Sequence, residues 1–160
     1  MKITQIPVPH FSKRTDPGII NAIVIHATAN RSSSETLNWF ENKASGVSSH
    51  YVIDKNGDII QCVSDTDKAW HAGDSDLWGV PNANEFSIGI ELVNLNNDKD
   101  EYTPEQMASL IELCTELCST YNIPLNRVVG HQDISPGRKT DPGKQFPWKE
   151  FLIALGGHLA

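Results

Sequence analysis

The sequence lacks the features that mark membrane proteins and nucleic-acid-binding proteins. No apolar run approaches the roughly 20 residues that span a bilayer, and residues 1–7 carry no apolar core of a secretory signal. Basic side chains are few, since 13 Lys and Arg against 20 Asp and Glu leave a net charge of −7. Nucleic acid and anionic lipid both attract clusters of Lys and Arg. The sequence therefore predicts a cytoplasmic protein that binds no nucleic acid and no membrane.

Cysteine is scarce as well. The three cysteines, Cys62, Cys114 and Cys118, are odd in number and lack the spacing of a disulfide framework. That pattern favours free thiols in a reducing compartment. Cys114 and Cys118 have the i, i+4 spacing that metal ligands on a helix can share. Both fall on the apolar side of the helix that the pattern predicts over residues 103–121, so we expect buried structural cysteines.

The length and composition fit one domain, residues 1–160, with a core of its own. The chain has 160 residues and 39% hydrophobic content. Residues 1–20 predict an extended arm, because they are rich in proline and polar groups. The pattern predicts strands over residues 19–25, 51–54, 58–63, 86–93 and 127–130, and helices over residues 32–43, 103–121 and 148–155. This alternation indicates an α/β fold in which helices flank a central mixed sheet.

Two local signals predict how these elements begin and turn. Asn56 and Gly57 stand between two β-prone runs and predict a tight primed hairpin turn, in which both residues take a positive φ. Thr103 and Gln106 have the spacing of a reciprocal helix N-cap.

The segment 130–143 concentrates side chains that carry chemistry. It reads Gly-His-Gln-Asp-Ile-Ser-Pro-Gly-Arg-Lys-Thr-Asp-Pro-Gly and follows an apolar β-prone run directly. A backbone pinned by proline and glycine that bears His131, Lys139 and Asp141 is typical of a loop that a rigid scaffold presents for catalysis. We interpret this segment as half of a zinc hydrolase site.

His26 is the candidate for the other half. His26 and His131 each end an apolar β-prone run, so both imidazoles project at one sheet edge if the two strands are neighbours. Asp141 can fold back towards them, because proline and glycine shape the loop between. Two histidines and one carboxylate with an open fourth position form a catalytic zinc site, whereas structural sites usually close with four protein ligands. Each histidine alone could equally be a hydrogen-bonded residue at the sheet edge.

Glu91 and Lys139 are the candidate catalytic residues. Glu91 interrupts an apolar strand, where a carboxylate is unfavourable unless it is paired or functional. By alternation it shares a face with Ser87 and Gly89, so we expect it to point away from the apolar side and towards a cleft. The alternatives are an edge-strand glutamate that faces water and, for Lys139, a solvated loop cation.

The long loop over residues 64–85 is rich in aromatic side chains. Loops of this length in compact domains are often functional. Trp70, His71 and Trp78, with Phe86 just beyond the loop, could belong to the core or could form a wall against a sugar or a peptide. The sequence leaves both interpretations open.

Five segments taken in order resemble the zinc-dependent N-acetylmuramoyl-L-alanine amidases, whose relatives include amidase-type phage lysozymes and the peptidoglycan recognition proteins. The segments are Val24-Ile25-His26, Ser48-Ser49-His50-Tyr51, Ala69-Trp70-His71-Ala72-Gly73, Ser87-Ile88-Gly89-Ile90-Glu91-Leu92 and the loop 130–143. The resemblance covers nearly the whole chain and implies a peptidoglycan recognition protein-like amidase fold.

The same resemblance implies a set of site residues. Zinc would be held by His26, His131 and Asp141, with a general acid/base at Glu91 and a cation beside the reacting carbonyl at Lys139. An Asp as the third ligand is similar to the bacterial cell-wall recycling amidases, because several phage and animal members carry Cys there.

The resemblance also implies a substrate and its contacts. Peptidoglycan fragments or muropeptides are the expected partners of a monomeric enzyme, and Trp70, His71, Arg138 and His50 are the expected substrate contacts. The segment between His26 and Ser48 is shorter than in the recycling amidases and nearer to lytic and outer-membrane relatives. A strict preference for 1,6-anhydro-muramyl ends is therefore not implied.

Two other functions fit the same motifs. A peptidoglycan-binding module without catalysis is one, although such members typically lose a metal ligand. A zinc amidase for non-muramyl amides is the other.

Overall fold

The computed structural model describes residues 1–16 and 18–160. The strands are β1 (Ile3–Gln5), β2 (Phe11–Lys13), β3 (Ala22–Ala27), β4 (Tyr51–Ile53), β5 (Ile59–Gln61), β6 (Asp67–Ala69), β7 (Asp76–Leu77), β8 (Val80–Pro81), β9 (Ser87–Leu92) and β10 (Val128–Gly130). The helices are α1 (Ser33–Glu41), α2 (Pro104–Tyr121), α3 (His131–Ile134) and α4 (Trp148–Leu159), with 3-10 turns at Ala83–Glu85 and Leu125–Arg127.

Six strands form one mixed sheet in the order β1-β5-β4-β9-β3-β10. The pair β4–β5 is antiparallel, and the other neighbours in this sheet run parallel. Two antiparallel pairs, β2–β6 and β7–β8, lie outside it. The predicted α/β class with a central mixed sheet flanked by helices is confirmed.

The two faces of the central strands have different roles. One face packs against α2 and α4 in a cluster that includes Ile23, Ile25, Ile88, Ile90, Leu110, Leu113 and Phe151. Alternation turns Ser87, Gly89 and Glu91 of β9 to the other face, as the sequence predicted. His26 of β3 lies in register with Glu91 and joins it there. Because β9 lies between β4 and β3, Glu91 is not on an edge strand.

Several predicted boundaries are wrong by a few residues. Strand β3 begins at Ala22 rather than at position 19. The hydrogen bonds of this strand with its neighbour begin only at Asn21, whose amide donates to the carbonyl of Phe86 (2.9 Å). The strand also runs through His26, which therefore lies within the strand. Helix α1 ends at Glu41, before the predicted residue 43, and the amide of Asn42 closes its last turn by donating to Asn38 and Trp39.

Two local predictions need correction. Gly57 has a positive φ of 88° but Asn56 does not, so the primed turn is not formed. Thr103 caps α2 by accepting from the amide of Gln106, as predicted. The Gln106 side chain does not reach back to the cap, since it is buried and donates to the carbonyls of Ile53 and Val93, both at 3.0 Å. It therefore ties α2 to the ends of β4 and β9.

The N-terminal arm and the predicted loop 64–85 both contain strands. The arm is extended, but β1 pairs with β5 and β2 pairs with β6. Arg14 joins the two regions, because its buried guanidinium donates to the carbonyls of Asp65, Asn84, Glu85 and Ser87. The loop is thereby held against the start of β9.

Two structural facts concern the cysteines and the length of the helices. The three cysteines are buried and unpaired. In the described ranges 1–16 and 18–160, no helix has both the length and the apolar character needed to cross a membrane.

Candidate metal centre and cleft

Parallel pairing of β3 and β10 brings the two candidate histidines together. Val129 lies beside Val24 and Gly130 beside Ile25, so the next residue of each strand, His131 and His26, reaches the same sheet edge. Their Nδ1 atoms lie 3.0 Å apart. The structure thus places two residues that are distant in the chain within the reach of one ion.

Asp141 completes the group. The loop after α3 folds back to the beginning of that helix, and the amide of Gln132 in α3 donates to the carbonyl of Asp141 (2.9 Å). Oδ2 of Asp141 lies 3.3 Å from Nδ1 of His26 and 3.2 Å from Nδ1 of His131. The three side chains form the group of described residues that could hold a metal ion. These separations are close to those of donor atoms around one four-coordinate ion.

The protonation of these groups suits a cation. Burial lowers the pKa of His26 to about 4, which favours the neutral ring. His131 donates through Nε2 to the carbonyl of Ala72 (2.9 Å), which can only accept, and its Nδ1 faces the carboxylate. Neutral imidazole and carboxylate are the donors that zinc takes in catalytic sites.

Glu91 lies beside this group. Its Oε1 is 4.0 Å from Nδ1 of His26, and its side chain is 16% exposed. Its Oε2 is buried and finds no hydrogen-bond partner in the part of the chain that the structure describes. Burial raises the pKa of Glu91 well above its ordinary value, and the charge of Asp141 adds to the shift while Lys139 opposes it. A carboxyl group in this environment readily holds a proton.

All five of the predicted metal-binding and catalytic residues line one cleft. Its volume is about 380 Å³, and its walls contain His26, Glu91, His131, Lys139 and Asp141. Lys139 is exposed and stands on the wall formed by the loop after α3. The cleft is open to solvent, and the three donor-bearing side chains form part of its lining.

The four predicted substrate contacts differ in their positions. Trp70 lines the cleft, and its indole N–H donates to Oγ of Ser12 (3.1 Å). Arg138 also lines the cleft, but its Nη2 donates to the carbonyls of Ala72 (2.6 Å) and Asp74 (2.9 Å), which fixes the guanidinium to the wall.

His71 lines the cleft but is largely buried, and His50 lies inside the protein. His71 is 8% exposed, and both ring nitrogens contact protein groups, Nδ1 with His26 (2.9 Å) and Nε2 with Ser87 (3.2 Å). His50 is 0% exposed, and its Nδ1 accepts from the amide of Gly89 (3.0 Å). The structure does not bring His50 to the cleft, so a substrate contact there is corrected to a role inside the fold.

The sequence left open whether Trp78 and Phe86 belong to the core or to a wall that contacts the substrate. Phe86 belongs to the core. Trp78 is 62% exposed and lies outside the cleft. The guanidinium of Arg127 lies over the ring of Trp78 and over that of Phe86. Trp39 is a cleft residue that sequence reasoning missed, and its side chain is 51% exposed. Its position in the sequence could have indicated this, because Trp39 directly precedes buried Phe40 on α1 and therefore lies outside the buried face of the helix.

Comparison with known proteins identifies the family of the chain. Residues 14–144 match the N-acetylmuramoyl-L-alanine amidase family (Amidase_2). The chain is 38% identical to the 1,6-anhydro-N-acetylmuramyl-L-alanine amidase AmpD of Haemophilus influenzae, over 94% of this chain and 91% of the relative. A crystal structure of a selenomethionine derivative of AmpD superposes with a TM-score of 0.80 at 31% identity, over 95% of this chain and 93% of that one.

A third relative was solved with a ligand. The Escherichia coli N-acetylmuramyl-L-alanine amidase AmiD, in complex with the substrate anhydro-N-acetylmuramic acid-L-Ala-D-gamma-Glu-L-Lys, superposes with a TM-score of 0.79 at 36% identity. This match covers 86% of our chain and 57% of that protein. The fold, the cleft and these matches define a hydrolase of the amidase class. The chain belongs to the N-acetylmuramoyl-L-alanine amidase family, as its motifs implied.

Proposed function

We propose that this protein is a zinc-dependent amidase that hydrolyses the bond between N-acetylmuramic acid, including its 1,6-anhydro form, and L-alanine in muropeptides. The observation that carries the proposal is the convergence of His26, His131 and Asp141 beside Glu91 in one open cleft. Two relatives support the substrate class, the AmiD complex and Pseudomonas aeruginosa AmpDh3 with an anhydromuramic pentapeptide, which matches at a TM-score of 0.76 and 33% identity.

The donor set fits zinc, and His26, His131 and Asp141 would hold it. When bound, zinc in such a site acts as a Lewis acid on the carbonyl and lowers the pKa of the attacking water towards about 7. The three donor side chains line the cleft, so the amide and the water would approach from the cleft.

Glu91 moves the proton in this mechanism. Its carboxylate accepts a proton from the attacking water, and the carboxylic acid then delivers it to the nitrogen of the departing alanine. Oε1, which lies 4.0 Å from Nδ1 of His26, is the atom that would accept the proton. Because Glu91 lies on a central strand, its position is fixed by the sheet rather than by a mobile loop.

Lys139 and the cleft walls hold the substrate and stabilise charge. The ammonium of Lys139 would face the oxygen of the carbonyl, where negative charge develops in the transition state. The rings of Trp39 and Trp70 offer flat apolar surfaces on the wall of the cleft, suited to the sugar or the peptide.

The test is hydrolysis of a defined muropeptide. Purified protein should release the peptide and anhydro-N-acetylmuramic acid from an anhydro-muropeptide, lose this activity after chelation and regain it with added zinc. Binding without cleavage in the presence of zinc would instead favour the peptidoglycan-binding module. Parallel assays on intact sacculi distinguish a lytic from a recycling role. The cytoplasmic location, the monomeric state and the absence of nucleic-acid and membrane partners stay predictions of the sequence.

A further inference from the structure

We propose that His71 is a positioning residue that fixes the ring of His26 in the one tautomer that can bind the metal through Nδ1. The proposal rests on the zinc site described above, and it assigns to His71 a role other than the substrate contact that its motif implied. It follows from a chain of hydrogen bonds that starts at a backbone carbonyl and ends at the site.

The chain has three links. Oγ of Ser87 contacts the carbonyl of Ala83 (2.5 Å) and Nε2 of His71 (3.2 Å). Nδ1 of His71 contacts Nε2 of His26 (2.9 Å). His26 is then left with Nδ1, the atom that faces His131 and Asp141.

The direction of each hydrogen bond is determined by the first link. A carbonyl oxygen can only accept, so the hydroxyl of Ser87 donates to Ala83. The Ser87 oxygen is then free to accept, and Nε2 of His71 must donate to it. A neutral imidazole carries one proton, so Nδ1 of His71 accepts, and Nε2 of His26 must donate. The proton of His26 is thus held on Nε2, and its Nδ1 presents a lone pair to the site.

The other metal-binding histidine is oriented by the next residue of the same segment. The carbonyl of Ala72 accepts from Nε2 of His131 (2.9 Å). The amides of His71 and Ala72 both donate to Oδ1 of Asn84 (3.1 and 2.8 Å), which holds the segment in place. Consecutive residues of one loop therefore fix the tautomers of both histidines, as outer partners of metal ligands commonly do.

Gly89 explains how the ring of His71 fits against the sheet. It lies in the middle of β9, where a β-branched or large residue would be expected. A Cβ at this position would stand 2.6 Å from Nδ1 and 2.7 Å from Cδ2 of His71, closer than real side-chain contacts allow. The central strand therefore has a glycine where the imidazole of His71 crosses it, and this close approach is needed for the contact with His26.

A pair of isosteric variants tests the proposal. In His71→Asn, the amide oxygen can take the place of Nδ1 and accept from His26, whereas the similarly sized His71→Leu offers no acceptor. The measurement is the zinc dissociation constant, obtained by competition with a chromophoric chelator. We expect His71→Leu to bind zinc about 10–100-fold more weakly than the native protein and His71→Asn to stay close to the native value. Nitrogen-15 spectra of the His26 ring should show a single Nε2-protonated tautomer in the native zinc-free protein and a tautomer mixture in His71→Leu.

The outcomes separate this proposal from the proposed function. If the native protein binds zinc and both variants weaken binding equally, His71 acts through packing alone and the proposal is overturned. Unchanged zinc affinity in His71→Leu overturns it as well. If the native protein does not bind zinc, the proposed function fails and this inference fails with it. Circular dichroism melting of the zinc-free proteins verifies that the two variants are equally folded, so that a difference in affinity reports the acceptor.

Discussion

His26 and Glu91 are register partners at the centre of the sheet, and both side chains rise from the same face with 4.0 Å between Nδ1 and Oε1. One strand thus carries a proposed metal ligand, and its neighbour carries the group that we propose transfers the proton. Because two adjacent β-strands lie only about 4.8 Å apart, the pairing of β3 with β9 alone keeps these two side chains close together.

The first prediction concerns Glu91. In Glu91→Gln the side chain keeps its size but can no longer take up a proton, so kcat should fall by about 10²–10⁴-fold. Zinc content should be unchanged, because the three donor side chains are intact. Steady-state assay of muropeptide hydrolysis together with metal analysis tests both halves. A variant that loses zinc along with activity would show that Glu91 supports the metal instead.

Asp141→Ala separates a ligand from a catalytic group. Removing the carboxylate leaves two imidazoles facing each other, so zinc content should fall far below equimolar and activity should fall with it. Metal analysis after gel filtration measures the first effect. A full zinc load in this variant would refute the assignment of Asp141 as a ligand. Asp133→Ala is a control for carboxylates of the same segment, since Asp133 caps α3 through the amide of Gly130 rather than facing the site.

The sequence predicted that His26 and His131 lie together, because their signal is local. His26 and His131 each end an apolar run, and the parallel pairing of β3 with β10 brings these two run ends side by side. It did not predict the contact between His71 and His26, which depends on how the loop 64–85 folds back over β9. The acceptor for His131 is a backbone carbonyl, that of Ala72, so no side-chain pattern could reveal it.

The turn residues and Gln106 also show that a local sequence pattern does not predict contacts with distant parts of the fold. Asn-Gly predicted a hairpin correctly but not its turn type, because the docking of Gly57 on α2 favours a different backbone. A Cβ on Gly57 would lie 2.9 Å from the carbonyl oxygen of Glu105. Gln106 has the spacing of a capping residue, but two buried carbonyls compete for its amide.

Gly89→Ala should affect both stability and zinc binding. The added methyl group must displace the ring of His71, so we expect a loss of about 1–3 kcal/mol in the free energy of unfolding, as for other overpacked cores, together with weaker zinc affinity. Chemical denaturation and chelator competition measure the two effects. Gly157→Ala is the matched control, because nothing lies within 4 Å of its Cβ position and it lies in α4. That change should be neutral or slightly stabilising, and equal effects from both variants would contradict the contact described here.

Gln106→Met tests the junction between α2 and the sheet. Methionine has a similar volume but cannot donate, so the carbonyls of Ile53 and Val93 lose a buried partner. We expect a loss of about 1–3 kcal/mol in the free energy of unfolding, measured by urea denaturation. Glu116→Met, on the exposed side of the same helix, should change stability by less than about 0.5 kcal/mol. A Gln106 variant as stable as the native protein would show that neither carbonyl needs the bond.

Trp39 tests whether the cleft wall recognises the substrate. Its indole is 51% exposed on the wall of the cleft, where an apolar surface of this size is available for a sugar or peptide face. Trp39→Ala should raise KM for an anhydro-muropeptide several-fold, at about 1 kcal/mol for one aromatic contact, and leave zinc content unchanged. Trp78→Ala is the matched control, since Trp78 is 62% exposed outside the cleft and should leave KM unaltered. Because each of these indoles is largely exposed, neither substitution should cost much stability, so a rise in KM confined to the Trp39 variant reports substrate contact. Equal KM values for the two variants would exclude Trp39 from the binding surface and leave Trp70 as the aromatic wall.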